Sequence, residues 1–510
     1  MRIKNVLQYL ESTAARLPDK ICFSDGDGGE SLTFAELLSL SQRIGSALCR
    51  SGVTGGRVAI LMDRHPYTIA AMLGVVYAGA CYVPLDAQVQ TARIEQILAQ
   101  AQPALLLCDR GNDSRARELF TSVCCWEELK QTPIDGARLD EVRRQQIDTD
   151  ALYVVFTSGS TGAPKGVVAC HRSVIDYGEA LTAALPLTQE CRLGCQSPLC
   201  FDAMLKELLS TFMLGATTYL IPRRLFRFPP LLVQYLTDNR IDTVCWVSSA
   251  LSQLSALGAL QTMPPQTLRT VVFGSEVFPS AHLQAWRQAL PQTQFYQLYG
   301  PTEATGMSCC YHVTGDEADG SAVPIGQPMN NTGVLLLDEG GRLIEPRSGQ
   351  DSEIGELYLR GSCVTMGYLR NEEQTARAFV QHPLHADYPE TVYRTGDLAR
   401  YDARGDLIFC GRRDMQIKRM GQAVDLSAIE QEAATLPGVT RAACVYDTAH
   451  MRLYLAVCGA ITEREVTIAL RERLPRLAYP DRVVCLDTLP SCENGKVARA
   501  ALLQQLTEGE

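Results

Sequence analysis

The amino-acid sequence predicts an α/β protein. A large N-terminal domain of layered, mostly parallel sheets carries a β-rich subdomain, and a small α+β domain follows it. Three observations carry this prediction. At 510 residues the chain is too long for one compact core. Short β-rich runs alternate with helical ones through the first four-fifths. The pattern then changes twice, near residue 332 and again after Arg412.

Taken in order, MRIKNVLQYLESTAARLPDK has no long apolar stretch ahead of its charges. It reads as an amphipathic helix, not a signal peptide. The runs RVAILM, ALLLCD, LYVVFTSG, TTYLIP, DTVCWVS and RTVVFGSE read as buried strands. TIAAMLGVVYAG, PLLVQYLTDN and AHLQAWRQAL read as the helices between them. At 332-TGVLLLDEGGRLIEP-346 the style becomes that of a hairpin with a DEGG turn, and GELYLRG and GDLIFCGR extend this β-rich subdomain. Beyond Arg412, MQIKRMGQAVDLSAIEQEAATL, TRAACVYDTAH, RLYLAVCG and TEREVTIALRERL form an α+β series of domain size. The division expected is 1–413 and 414–510. There is no internal repeat, and the polar loop 110-RGNDSRARE-118 is too short to link domains.

Apolar residues make up 46% of the chain and charged residues 20%, the balance of a globular protein. The net charge of -10, without an extended basic run, argues against a nucleic-acid partner or an anionic membrane surface. No apolar run approaches the roughly 20 residues of a membrane span. The 19 cysteines include no C-x-x-C pair, so no zinc ribbon or thioredoxin-like site is expected. A cytoplasmic location with reduced thiols is the expectation, most of them acting as small buried hydrophobes.

Two stretches carry chemistry. In 156-FTSGSTGAPKG-166, three glycines, two serines, two threonines and a lysine follow directly on a strand. Glycines let backbone approach an anion, while hydroxyls and amides donate to phosphate oxygens. Pro164 before Lys165 and Gly166 after it exclude the Walker pattern. The second stretch, 200-CFDAMLKELLSTFMLGATTYLIP-222, reads as an apolar helix running into a strand, yet it carries Asp202 and Lys206. Four residues apart, they share one helical face. A buried charge needs a partner.

The chain resembles the adenylate-forming superfamily, and within it the amino-acid-activating adenylation domains of nonribosomal peptide synthetases and their stand-alone relatives. Nine motifs occur in family order: LTFAEL at 32, VYAGACYVPLD at 76, the phosphate loop, FDAM at 201, YGPTE at 299, GELYLRGSCVTMGYL at 355, YRTGDL at 393, GRRDMQIKRMG at 411 and NGK at 494. The resemblance implies that an acid and ATP give an acyl-adenylate and pyrophosphate, and that the acyl group then passes to a pantetheine thiol.

It also implies residue roles. Thr157, Ser158, Gly159, Ser160, Thr161, Gly162 and Lys165 should hold the phosphates. Thr302 and Glu303 should lie at the α-phosphate, with Glu303 binding Mg²⁺, a hard cation suited to carboxylate oxygen. Asp397 should accept both ribose hydroxyls. Arg412 and Lys418 belong to the same nucleotide site, and Tyr299 and Phe409 should flank the nucleotide. Lys496 should bridge the substrate carboxylate and the α-phosphate. Asp414 matches the hinge about which a mobile C-terminal domain swings. Two departures stand out: Ala423 replaces a basic residue in AVDLSAIE, and Ala498 stands where aspartate is common.

By the same resemblance, Asp202 should pair with the substrate α-ammonium. The side-chain pocket should be lined by Ala203, Lys206, Trp246, Val271, Phe273, Leu298, Gly306 and Met307. Such bulky walls leave little room, which favours glycine, then alanine. The chain is then similar to stand-alone glycyl carrier-protein ligases of lipid A modification, and more distantly to D-alanine–carrier-protein ligases. Two other readings stay open: Lys206 pairs with an acidic substrate, or Trp246 and Phe273 are core residues pointing away. The expected partner is a separate carrier protein with a phosphopantetheine arm. The rivals are an acyl- or aryl-CoA ligase and a catalytically silent binding protein.

Overall fold

The computed structural model describes residues 3–26, 29–158, 164–315, 323–413, 415–490 and 497–507. Two large sheets dominate. One runs in the order Gln327–Pro328, Cys309–His312, Gln294–Tyr299, Thr270–Gly274, Thr243–Val247, Arg192–Cys195, Thr217–Leu220, Ile21–Asp25 and Ser31–Thr33. Its six middle strands are parallel, and the outer ones pair antiparallel. The other sheet has the order Val123–Cys125, Leu105–Cys108, Arg57–Met62, Cys81–Asp86, Ala151–Ser158 and Pro164–Cys170. It is parallel except for the last pair.

Both faces of the parallel strands are covered, which is why runs such as RVAILM are apolar throughout. The largest core draws on both sheets, with Val58, Val155 and Leu193, and on the helices Phe34–Arg50, Pro66–Tyr77, His171–Ala184 and Leu205–Leu214. A second core, with Trp246, Phe273 and Trp286, lies on the opposite face of the first sheet. The hairpin expected after residue 332 is present: Thr332–Leu337 turns through Asp338, and Ile344 N–H donates back to Leu336 O at 2.7 Å. It joins a five-stranded sheet with Gly355–Gly361, Phe379–Gln381, Thr391–Tyr401 and Leu407–Arg412.

The C-terminal residues make their own structure. Gln416–Arg419 and Gln422–Asp425 form a two-stranded hairpin. Val439–Asp447, Arg452–Gly459 and Arg482–Cys485 form a three-stranded sheet, packed by Leu426–Ala434 and Glu463–Arg473 around Ile429, Leu455 and Leu470. Thr462 and Glu465 close a capping box that starts the second helix. No disulfide occurs among the described cysteines, and most of them are buried.

One local detail exceeds the expectation of a loop following a strand. The described ends of the phosphate-loop motif pair as antiparallel strands, with Thr157 opposite Lys165. A Cβ at Gly166 would lie 2.8 Å from both the Phe156 ring and the Val154 side chain, so glycine is what lets the return strand close over them.

Candidate active site

The site gathers at the carboxyl ends of the parallel strands, where open α/β sheets bind ligands. Strand Gln294–Tyr299 leads through Gly300 and Pro301 into a 3₁₀ turn, Thr302–Ala304. Thr305 at φ +54° and Gly306 at φ +83° then reverse the chain. A Cβ at Gly306 would also come within 3.1 Å of the Tyr177 ring. The loop is pinned from behind. Thr305 Oγ1 donates to Cys363 O at 2.7 Å, and Thr365 donates its N–H (3.0 Å) and its hydroxyl (2.9 Å) to Glu303 O. Backbone so fixed holds Thr302 and Glu303 forward. Glu303 Oε1 accepts the Tyr368 hydroxyl at 2.7 Å.

Asp397, on the long strand Thr391–Tyr401, is 6% exposed. Its Oδ1 accepts from Arg412 Nη1 at 2.6 Å, and its Oδ2 accepts the Tyr299 hydroxyl. Burial pushes the Asp397 carboxyl up, while Arg412 and the Tyr299 hydroxyl pull it back. Phe409 and Tyr299 belong to one apolar cluster. Three motif residues, Tyr299, Asp397 and Arg412, are therefore brought together with Phe409. Lys165 holds its ammonium 5.5 Å from the Tyr368 ring centroid, on the same aromatic that binds Glu303. Gly159, Ser160, Thr161, Gly162, Asp414 and Lys496 lie outside the described residues.

Asp202 does not sit on one continuous helix with Lys206, as the sequence spacing predicts. It opens a 3₁₀ turn, Asp202–Met204, that runs into the helix Leu205–Leu214. Burial raises the Asp202 carboxyl, against the pull of Lys206, a hydrogen bond from Thr302, and Lys418. Lys418 comes from the C-terminal hairpin strand Gln416–Arg419, and its charge also reaches Asp397 and Glu276. The turn of that hairpin is held down by Gly421 N–H donating to Glu276 Oε1 at 2.9 Å. Lys206 is 6% exposed and donates to Ala203 O at 2.8 Å.

A small cavity of about 230 Å³, mouth included, lies beside Lys206. Its wall takes in Ser197, Cys245, Val272, Leu298 and Met307, and is edged by Trp246 and Phe273. Strand alternation corrects part of the expected lining. Cys245 and Val272 are paired neighbours, and Leu298 pairs with Gly274, so these three share one face. Trp246 and Phe273 pair on the other face, where Trp246 meets Phe226 and Phe273 meets Phe278 in the second core. Val271 lies with them and is fully buried away from the cavity. Ala203 and Gly306 border the site through the Lys206 contact and the Tyr177 contact, not through the cavity wall.

The structure adds a group that no motif marks. Glu207, next to Lys206, is 1% exposed, and neither carboxylate oxygen has a hydrogen-bonding partner among the described residues. Burial raises its pKa from 4.5 to about 7, with Lys206 opposing. Its signal in the sequence is only a glutamate inside an apolar run.

Residues 10–369 match the AMP-binding enzyme family. The chain belongs to that family of adenylate-forming ligases. Among its relatives, the L-proline–[L-prolyl-carrier protein] ligase of Streptomyces coelicolor is 31% identical over 92% of this chain and 91% of its own. A linear gramicidin synthase polypeptide of Brevibacillus parabrevis is 34% identical over 97% of this chain, which spans only 9% of that much longer relative. In structure, holo-PA1221, a protein with adenylation and PCP domains, superposes with a TM-score of 0.83 at 26% identity, covering 98% of this chain and 84% of the other. IdnL1 gives 0.80 at 27% identity, over 96% and 100%.

The α/β fold, with a large N-terminal part and a smaller C-terminal part, is thus that of adenylation-domain structures. For an AMP-binding enzyme, two features lie outside the motifs: the Glu276 contact to the C-terminal hairpin, and the Cys245 and Val272 wall. Tyr368 lies in a motif, but its clamp on Glu303 shows only in the fold.

Proposed function

We propose that this chain activates a small amino acid, glycine before alanine, and passes it to the phosphopantetheine thiol of a separate carrier protein. The observation that carries this reading is Asp202. It is a carboxylate pushed up by burial, hydrogen-bonded by Thr302 and set near Lys206, which walls a cavity of about 230 Å³. An α-ammonium gives Asp202 the partner that a fatty or aryl acid lacks.

In the proposed reaction, a substrate carboxylate oxygen attacks the α-phosphorus of ATP and pyrophosphate leaves. The pantetheine sulfur then attacks the acyl carbon and AMP leaves. Attack at phosphorus needs alignment and charge neutralisation more than covalent help. Asp397 accepts hydrogen bonds from the ribose hydroxyls, and Arg412 neutralises charge at the ribose edge. Tyr299 and Phe409 enclose the nucleotide, while Thr157 to Lys165 cradle the phosphates. Thr302 and Glu303 offer hard oxygen donors at the α-phosphate, a set that fits Mg²⁺. When bound, the ion supplies neutralisation of phosphate charge. Lys496 spans the substrate carboxylate and the α-phosphate, and the C-terminal residues swing about Asp414 between the two half-reactions.

The carrier-protein ligase of S. coelicolor, alike over 91% of its length, supports transfer to a carrier protein. The test is ATP–pyrophosphate exchange with amino acids against fatty and aryl acids, followed by acyl transfer to a holo carrier protein or to coenzyme A. Exchange driven by a fatty or aryl acid, with transfer to coenzyme A, would refute the proposal.

A further inference from the structure

The loop between strands Phe379–Gln381 and Thr391–Tyr401 reads 382-HPLHADYPE-390. It holds two of the chain's seven histidines within four residues. The rings of His382 and His385 stack with centroids 4.3 Å apart. His382 is 5% exposed, and its Nε2 has no hydrogen-bonding partner among the described residues; the same holds for the buried Nδ1 of His385. Two orphan ring nitrogens on a pair of stacked histidines are unusual, because buried polar groups are nearly always satisfied by protein, water or an ion. One ring nitrogen from each histidine and one Glu390 oxygen all lie within 4.8 Å of one another.

We propose that His382 and His385, backed by Glu390, bind a divalent transition-metal ion of the zinc class and so staple this hairpin loop. Imidazole donors with a carboxylate suit zinc, not magnesium or calcium. His385 Nε2–H donates to Glu390 Oε2 at 2.9 Å, and Arg360 Nη2 holds Glu390 Oε1 at 2.7 Å. With its proton on Nε2, His385 turns a lone pair outward at Nδ1. This is the carboxylate–histidine–metal relay by which proteins orient metal-binding imidazoles.

His382 requires one adjustment. Leu384 N–H donates to its Nδ1 at a long 3.3 Å. Coordination through Nε2 moves the ring proton to Nδ1, so that contact opens and the loop shifts at Leu384 as the ion enters. Donors around a tetrahedral zinc with bonds of about 2.0 Å stand roughly 3.3 Å apart, so the two ring nitrogens must converge to that spacing as the ion enters, and water fills the remaining positions. The stapled strand carries Tyr393 and Asp397. The ion thus stiffens the element that holds Asp397 without touching the reacting groups.

The experiment uses the full chain, freed of metal by chelation and verified as folded by circular dichroism. It is titrated with Zn²⁺ against a chromophoric chelator, and separately with Co²⁺, whose visible absorption reports coordination. One equivalent should bind the wild type and raise its melting temperature. Binding should be lost in His385→Ala, a half-buried position that tolerates truncation, and in His382→Asn. Glu390→Gln should weaken it at least tenfold. A second cluster, Cys108, Asp113 and Cys125, also meets the distance requirement for a metal; Cys108→Ser should leave zinc binding unchanged if the histidine site is the one occupied. Absence of stoichiometric binding to the wild type, or binding that survives both histidine substitutions, would overturn the proposal.

Discussion

Replacing Glu207 with glutamine tests how the core beside Lys206 tolerates a buried carboxyl. The carboxyl is 1% exposed and lacks hydrogen-bonding partners among the described residues, and its pKa rises from 4.5 to about 7. Each pH unit between those values corresponds to about 1.4 kcal/mol. The folded protein therefore holds this proton about 3 kcal/mol more tightly than the unfolded chain does. The sign follows: a raised carboxyl contributes stability that is complete below pH 4.5 and is lost as pH climbs through 7. Asp202, Asp397 and Glu276 are raised by burial too, so they slope the same way. Their contributions are common to both proteins and cancel in the difference. Urea unfolding of wild type and Glu207→Gln at intervals from pH 5 to 8 measures it. The variant should gain on the wild type by about 2.5 kcal/mol across that range, most steeply near pH 5.5 to 6 and levelling off above pH 7. Parallel stability curves would refute the argument, because they would mean that water or Lys206 keeps Glu207 at an ordinary carboxylate pKa.

Asp202→Ala should cut kcat/KM for the amino acid in pyrophosphate exchange by about 3–5 kcal/mol, a loss of 10²-fold or more, because the substrate ammonium loses its partner. Unchanged exchange would remove Asp202 from recognition. Asp397→Ala strips Arg412 and Tyr299 of a shared acceptor, so the KM for ATP should rise at least tenfold in steady-state assays with the fold retained by circular dichroism. Lys496→Ala should suppress adenylate formation by orders of magnitude while sparing transfer from a pre-made adenylate, a split that single-turnover measurements of each half-reaction resolve. Gly306→Ala, at φ +83° and against the Tyr177 ring, should cost about 1–2 kcal/mol in denaturant unfolding.

Much of this architecture was written in local pattern. Parallel strands buried on both faces read as unbroken apolar runs, and RVAILM, TTYLIP and RTVVFGSE all became strands. The association of Tyr299, Asp397 and Arg412 spans three motifs and was legible only through family order, since composition does not say that Asp397 and Arg412 face each other across two antiparallel strands. Pocket walls were harder. A one-residue step along a strand changes the face. Trp246 and Phe273, the bulky residues that attract notice, border the cavity but send their rings into the second core, while small Cys245 and Val272 complete its wall. Leu298→Ala and Met307→Ala are therefore the substitutions that should enlarge the pocket. Glu207 and the His382–His385 pair escaped because single polar residues in apolar or loop sequence carry no periodic signal. Their meaning comes from unpaired atoms in three dimensions.

The most direct test of the account is ATP–pyrophosphate exchange run side by side with glycine, alanine, proline, aspartate, glutamate and a fatty acid, on wild type, Lys206→Ala and Met307→Ala. A small cavity lined by Met307 and a lysine already engaged by Ala203 O predict exchange with glycine first and alanine next. Met307→Ala should extend that range to larger side chains. Preference for aspartate or glutamate, abolished by Lys206→Ala, would contradict the account of the pocket.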